Sequence, residues 1–267
     1  MKRIFVVITL GFFLACGTEK SKEINEAAKK EEQPPEVKQQ IDLIKQYPDS
    51  IALREKTIDV LDSLGAGREA LQQLDSLIRW DSLNAGYWTR KGEISEKYGD
   101  TIGALKAYRY SLQIYRSPDV LLKAANLFAE KKNDTALMIT KSIKEEWRDR
   151  NILSHALFIE GIYYARKGMR GPANRSFDVC IGYNYQYLEA YMEKGFLLWD
   201  GGDMGGAKKI FTIVVQLKAT YPDGYFWLAK CEERMSDSLN AALHYRQANL
   251  LDPQLTIPSW VREMDRK

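Results

Sequence analysis

The residues that could carry out chemistry in this 267-residue chain are few and lie far apart. The two histidines, His155 and His244, are about ninety residues apart, and neither has the neighbours of a metal site or of a nucleophile with its base. Because His244 immediately precedes Tyr245, which we expect in the core, we predict that His244 is a solvated helix residue. Carboxylates are plentiful, but their pattern places them on solvated helix faces.

A glycine-rich stretch, 201–208, is a candidate phosphate-binding loop because it ends in Lys208. Two features argue against phosphate binding: the lysine does not directly follow the last glycine, and no strand precedes the stretch. We therefore interpret the stretch as a turn into a helix. From the absence of a catalytic constellation we predict a protein that is not an enzyme and that binds no cofactor or metal.

Cys16 has a different chemical role. It follows the basic residues Lys2 and Arg3 and an apolar run, 4–15, that is too short to span a bilayer as a helix. A basic start, a short apolar core and a small residue before the cleavage site are typical of a secretory signal. Residues 13–16 resemble the bacterial lipobox, which implies cleavage before Cys16 and acylation of Cys16, palmitate included. The alternative is a plain signal peptide with an incidental cysteine.

The resemblance also indicates a location. Residue 17 is glycine and not the aspartate that the lipoprotein family associates with the inner membrane, which favours the outer membrane of a bacterial cell envelope. We predict a signal peptide over 1–15 and a flexible tether over 16–36, because this mixed-charge, proline-containing segment has almost no large apolar side chains to bury.

Charge and the remaining cysteines add little chemistry. Removing Lys2 and Arg3 with the signal lowers the net charge from +3 to +1, so nucleic-acid binding is not indicated. Cys180 and Cys231 are interpreted as buried small hydrophobic residues. A disulfide between them stays open at this stage.

The secondary-structure elements that would position any site are indicated by a spacing of residues that repeats along the chain. A small or aliphatic residue is followed 12 residues later by alanine, and 4 residues after that by a larger residue. The leading residues lie 34 apart from 58 to 92, from 161 to 195 and from 195 to 229. The five sets are Ile58, Ala70 and Leu74; Gly92, Ala104 and Tyr108; Gly161, Ala173 and Phe177; Gly195, Ala207 and Phe211; and Ala229, Ala241 and Tyr245.

This spacing is typical of two packed antiparallel helices. A small residue in the first helix lets the second approach closely, and the larger residue lies one turn after the alanine on the same helical face. A period of 34 with small, small and aromatic positions resembles the tetratricopeptide repeat. The resemblance implies an all-α fold, an α-solenoid of about six helix-turn-helix repeats wound into a right-handed superhelix. We assign the repeats to 37–254 and a C-terminal cap to 255–267.

The third unit departs from the pattern. Its set, Ala125, Ala136 and Thr140, is one residue short, and Thr140 stands at the aromatic position. Its central loop, 131–134, is charged, and together with Thr140 this leads us to expect an irregular unit.

The resemblance further implies that the first helix of each unit lines a concave groove for a partner. Carried over by repeat position, the N-terminal half of this groove is acidic, through residues that include Glu55, Asp59, Asp62, Glu93, Glu96 and Glu130. The C-terminal half is largely aromatic and apolar with two cations. The candidate partner-binding residues there are Phe158, Ile162, Met192, Phe196, Trp199, Phe226, Lys230 and Arg234. Clustered aromatics favour a partner-binding patch, and packing against neighbouring helices is the alternative.

The sequence thus predicts a membrane-anchored scaffold that binds a protein or peptide partner, with no nucleic acid. Two alternatives remain. One is a glycan-binding envelope lipoprotein, which would use the tyrosines of 183–191. The other is an accessory subunit of an outer-membrane assembly or secretion machine.

Overall fold

The structure is a computed structural model, and it describes residues 34–264. Cys16, the predicted signal peptide and nearly all of the predicted tether lie outside these residues. The described chain is all-helical and holds fourteen helices. A single helix, α1 (Pro35–Gln46), precedes six helix pairs, and each pair consists of a helix A followed by a helix B. The pairs are α2 (Ile51–Ser63) and α3 (Gly67–Trp80), α4 (Ala85–Lys97) and α5 (Thr101–Ile114), α6 (Pro118–Glu130) and α7 (Thr135–Glu146), α8 (Arg150–Arg166) and α9 (Arg170–Tyr183), α10 (Leu188–Asp200) and α11 (Met204–Leu217), and α12 (Pro222–Arg234) and α13 (Ser238–Leu251). The short α14 (Ser259–Glu263) follows.

Each helix packs on the next in chain order, which makes the array an α-solenoid. The 12-and-4 spacing explains the tightest contacts. A β-carbon placed on Gly161 would lie 2.3 Å from the ring of Phe177, and one on Gly195 would lie 2.5 Å from Phe211. Both rings are fully buried. Burying each side chain contributes roughly 2–3 kcal/mol, so glycine in helix A is required for the aromatic residue of helix B to reach the core.

The turns within the units share one backbone conformation. Gly65, Gly99, Gly168 and Gly202 all have φ between 75° and 82°, in the left-handed region, and each lies between helix A and helix B. The equivalent turns of the third and sixth units place Lys132 (φ 57°) and Ser236 (φ 63°) there. Left-handed backbone is costly for residues with a β-carbon, so these two turns are strained where the other four are not.

The third unit is irregular, as its sequence indicated. Its helix B, α7, has 12 residues where the other five have 14. Thr140 is fully buried at the aromatic position, and its hydroxyl donates to Glu160 Oε1 of the next unit at 2.9 Å. A polar bond to the neighbouring unit therefore replaces the ring of the other units.

At the C-terminal end, the residues after α13 fold back onto the last pair. Ile257 and Val261 are buried in one cluster with Ala229, Ala241 and Tyr245. The Trp260 indole donates to Glu233 Oε1 at 2.9 Å. This segment covers apolar surface that α12 and α13 would otherwise expose.

Both described cysteines are free and buried, so the disulfide that the sequence left open does not form between Cys180 and Cys231. Burial raises the pKa of the Cys180 thiol to about 12 and that of Cys231 to about 11. Among residues 34–264 no helix combines the length and the apolar character needed to cross a membrane.

Candidate functional site

Side chains of successive helices A meet across unit boundaries, and we call this surface the inner wall. In its N-terminal half the contacts are ion pairs. Arg90 on α4 contacts Asp59 on α2 at 3.0 Å and Asp62 at 3.3 Å, and it lies 3.7 Å from Glu93 one turn further on. Glu93 is in turn contacted by Lys123 on α6 at 3.1 Å. The acidic residues that the sequence placed here are therefore neutralised by cations of adjacent units.

The other carboxylates of this half also have donors. The Tyr87 hydroxyl donates to Glu55 at 2.8 Å, and the Tyr108 hydroxyl donates to Glu96 at 2.8 Å. Burial, and secondarily the bond to Glu55, raises the pKa of Tyr87 to about 12. Lys97 pairs with Asp62 at 2.7 Å. A hollow of about 870 Å³ opens among α4, α5, α6 and α8, and its lining includes Arg90, Glu93 and Lys123.

Arg166, near the end of α8, joins the two halves of the wall. Its guanidinium contacts Glu130 of the third unit at 2.8 Å and Glu193 of the fifth at 3.4 Å. The two carboxylates hold the pKa of Arg166 above its usual value, the bond to Glu130 being the larger cause. One side chain thus ties three consecutive units together.

Beyond Arg166 the wall becomes aromatic, and its predicted residues divide by burial. Ile162 and Met192 are buried, at 2% and 6% exposure, and they pack inside the solenoid. Phe158 is half-buried and stacks on Tyr187 with ring centroids 5.0 Å apart. Tyr187 is itself buried, and its hydroxyl lies 2.9 Å from His155 Nδ1.

Four half-buried aromatic residues form the rest of the surface, and we call Phe196, Trp199, Phe226 and Trp227 the aromatic cluster. Trp227 lies at its centre, with ring centroids 4.9 Å from Phe196, 5.5 Å from Trp199 and 6.2 Å from Phe226. Two hollows of about 370 Å³ each adjoin the cluster, and both are lined by Phe196, Trp227 and Glu193. Charged side chains also line them, Arg166 and Asp200 in one hollow and Glu189 and Asp223 in the other. Ligand sites usually combine apolar lining with a few polar groups, and here the rings supply the apolar part.

The two predicted cations stand at the far edge of the cluster. The Lys230 ammonium lies 4.5 Å from the ring centroid of Trp227, 5.3 Å from Phe226 and 6.0 Å from Trp199. Arg234 is exposed one turn further on. Within residues 34–264 neither cation has a carboxylate at ion-pair distance, unlike Arg90, Lys123 and Arg166. The positive charge at this end of the wall is therefore available to a ligand.

His244 corrects a prediction from the sequence. It is half-buried, and its Nδ1 lies 2.7 Å from Glu232, a carboxylate with 2% exposure that Lys208 also contacts at 3.2 Å. The imidazole is therefore not a solvated surface group. The same contact occupies Lys208, the lysine of the glycine-rich stretch. Asp203 caps the helix by accepting from Gly206 N at 2.8 Å, which makes 201–208 a turn into α11.

Known structures resemble this arrangement of helix pairs. PilW, described as a widely conserved type IV pilus biogenesis factor, aligns with a TM-score of 0.63 at 15% identity over 80% of this chain and 97% of its own. A tetratricopeptide repeat protein from Parabacteroides merdae aligns with a TM-score of 0.63 at 16% identity over 86% of this chain and 90% of its own. PilF of Pseudomonas aeruginosa gives 0.55 at 16% identity over 80% and 96%.

This chain has the tetratricopeptide-repeat fold. No protein-family model and no curated protein matches its sequence, and at these identities the likeness establishes the fold alone.

The positions of the tetratricopeptide repeat predicted most of the side chains on the inner wall, but they did not predict the roles of three. Trp227 was not predicted, because the repeat places it beside the groove position Phe226 and not on it. Arg90 and Lys123 were not predicted to neutralise the acidic half, although complementary charges recur about one repeat apart. No group of three or more potential metal-ligand side chains occurs in the described part of this tetratricopeptide array.

Proposed function

We propose that this protein is a membrane-anchored scaffold and that it binds an extended peptide or a helix of a partner protein on the C-terminal half of the inner wall. The observation that carries the proposal is the aromatic cluster. Its four rings stay half-exposed beside two hollows, on a surface that ends in Lys230 and Arg234. Aromatic anchors in hollows dominate the affinity of most protein interfaces.

The contrast with the N-terminal half supports this choice of surface. There, Arg90, Lys123 and Arg166 already pair with carboxylates of the protein itself. A ligand would have to replace those pairs in order to bind. Against the aromatic cluster a ligand displaces water from apolar surface, which is the favourable direction of the hydrophobic effect.

The partner-binding surface is tested by photocrosslinking from two tryptophan positions, one inside the aromatic cluster and one outside it. A photoreactive amino acid replaces Trp199 in one variant and Trp80 in a matched control, since Trp80 is 66% exposed on α3, outside the aromatic cluster. After irradiation in the native cell envelope, we expect crosslinked proteins from position 199 that are absent from position 80. The same proteins crosslinked from both positions would contradict the proposal.

Affinity provides the second readout. With the crosslinked partner purified, we expect Trp199→Ala to weaken binding by about tenfold or more and Trp80→Ala to leave it unchanged. Thermal unfolding of both variants controls for loss of structure. Equal affinity of Trp199→Ala and the unchanged protein would place the partner elsewhere.

The anchor is a separate part of the proposal and rests on Cys16. If Cys16 is acylated, Cys16→Ser moves the protein from the membrane to the soluble fraction of a cell lysate, whereas Gly17→Ser leaves it on the membrane. Several acyl chains hold a protein stably, where a single chain gives marginal binding. A Cys16→Ser protein that stays on the membrane would show that this anchor does not exist.

A second candidate function is an accessory subunit of an outer-membrane assembly or secretion machine, and the likeness to PilW favours it. It differs from the first in the identity of the partner. Identification of the proteins crosslinked from position 199 by mass spectrometry separates the two. The glycan alternative loses Tyr187, which is buried and unavailable to stack on a sugar, and keeps the exposed Tyr183 and Tyr185. A glycan array would test it.

A further inference from the structure

The boundary between helix B of one unit and helix A of the next is bridged by an ion pair at four places. Asp75 on α3 pairs with Lys91 on α4, and Asp178 on α9 pairs with Lys194 on α10. Lys144 on α7 pairs with Glu160 on α8, and Lys208 on α11 pairs with Glu232 on α12. Each pair places charged groups over the junction of the two helices.

The boundary between α5 and α6 lacks this pair. Lys91, Glu160 and Lys194 each directly precede the small residue of helix A, and Ala124 holds that position in the third unit. On helix B, Asp75 and Asp178 each directly follow the large core residue, and Arg109 holds that position after Tyr108. Alanine cannot pair with arginine, so no ion pair covers this junction.

A cleft of about 600 Å³ opens at this junction, and we call it the outer cleft. Its floor is Ala124 and Phe128 of α6, and its apolar walls are Leu105 and Leu112 of α5 and Ile139 of α7. It lies on the opposite face of α6 from Leu122, which lines the hollow of the inner wall. The outer cleft is therefore separate from the partner-binding surface.

The polar lining of the outer cleft comes from α5 alone. Lys106, Arg109 and Gln113 lie along one face of this helix, and all three are exposed. The Arg109 guanidinium lies 5.5 Å from the ring centroid of Tyr110. Neither Lys106 nor Arg109 has a carboxylate at ion-pair distance among residues 34–264. The cleft thus combines an apolar floor with a cationic rim on one side.

We propose that the outer cleft binds a small anionic amphiphile, a medium-chain alkyl carboxylate, with its chain against Phe128, Leu112 and Ile139 and its head beside Lys106 and Arg109. The volume lies in the range of small-molecule sites, and the charge of the rim is complementary to a carboxylate. A peptide fits less well, because its backbone would find few hydrogen-bonding partners on the apolar walls.

The test is titration of the full-length protein with decanoate below its micelle concentration, followed by calorimetry and by the methyl NMR signals of Leu105, Leu112 and Ile139. We expect saturable binding to one site. Uncharged decanol should bind at least tenfold more weakly. No saturable decanoate binding, or equal affinity for decanol, overturns the proposal.

Two variants assign the site. Ala124→Glu places a carboxylate where the next unit has Glu160, within reach of Arg109, and should abolish decanoate binding. If that variant fails to fold, a double variant with Lys106→Gln and Arg109→Gln tests the assignment instead, because both residues are exposed. We expect its affinity for decanoate to fall tenfold or more. Arg175→Gln removes an exposed cation from α9 and is the matched control. It should leave the affinity for decanoate unchanged. Unchanged binding by the double variant, or an equal loss in Arg175→Gln, overturns the assignment.

Discussion

The two halves of the inner wall use different interactions to join adjacent helices A. From α2 to α8, adjacent helices A are joined by ion pairs around Arg90, Lys123 and Arg166. From α10 to α12, they are joined by rings that meet around Trp227. Exposed ion pairs stabilise little because water screens them, whereas buried aromatic area stabilises strongly. The first half has its charges paired internally, and the second half keeps apolar surface and two cations that remain open to a partner.

This comparison is tested most severely by Trp227→Ala. The variant removes a ring that contacts Phe196, Trp199 and Phe226, and truncation of a large aromatic residue costs about 3 kcal/mol of unfolding free energy. Urea denaturation measures the loss. Trp80→Ala is the matched control, and it should change stability by less than ~0.5 kcal/mol because Trp80 is largely exposed. Equal losses in the two variants would contradict a structural role for the cluster.

The rate of thiol labelling at Cys231 shows whether Trp227→Ala destabilises only the C-terminal half of the array. Cys231 lies on α12 with Trp227, and burial raises the pKa of its thiol to about 11, so a thiol reagent reacts with it only after local opening. A loss of about 3 kcal/mol accelerates such labelling by roughly a hundredfold. Arg90→Gln should leave the rate within about twofold, because solenoid units contact mainly their neighbours. Similar acceleration by both variants would mean that the two halves open together.

In the ion-paired half, Arg90→Gln is expected to lower stability by about 1 kcal/mol at low salt, since it removes the partner of Asp59 and one of the two partners of Asp62, which keeps Lys97. In 1 M salt, where the screening length falls to about 3 Å, the difference from the unchanged protein should nearly vanish. Urea denaturation at both salt concentrations measures this, with Arg175→Gln as the unpaired control. A loss that is independent of salt would show that Arg90 acts through packing.

Glycine substitutions in the turns of the third and sixth units should affect stability equally in the two halves of the array. Lys132→Gly and Ser236→Gly each relieve left-handed backbone, one in each half, and each should raise stability by up to about 1 kcal/mol. Thermal unfolding of the two variants measures the gain. A gain at one turn alone would show that the strain differs between the third and sixth units.

The smallest expected effect on stability is that of Lys230→Gln. Lys230 is half-buried, and a cation over aromatic rings contributes about 0.5 kcal/mol. The affinity for the partner should fall by a larger factor than the stability, because Lys230 has no carboxylate partner of its own within the described chain. Equal affinity in the variant and the unchanged protein would remove Lys230 from the binding surface.

The sequence predicted the helix pairs because the pattern that encodes them is local. Gly161 and Phe177 are 16 residues apart, and this distance fixes both the turn and the contact. Contacts between units were harder to foresee, because they depend on how one pair stacks on the next. Glu232 with Lys208, and Asp62 with Arg90, join residues of different units whose pairing the repeat length alone does not specify.

The candidate site shows the same limit. The repeat position indicated Phe196 and Phe226, and both lie in the aromatic cluster. It could not separate them from Ile162 and Met192, which lie within the core, since burial depends on the curvature of the stack. Trp227 was missed because it lies beside the groove position Phe226 in the repeat, yet its ring contacts Phe196 and Trp199 of the preceding unit.

The residues after α13 have a consequence for self-association. Val261 and Ile257 cover the last helix pair on surface that, in every earlier unit, receives the helix A of the next. A chain cut after residue 254 would present this surface uncovered, ready to accept α1 or α2 of another molecule. Because the two ends of a solenoid differ, such joining would proceed head to tail and would not close after two copies. The described residues 255–264 therefore cover the surface through which an array of repeats would otherwise grow into a fibre.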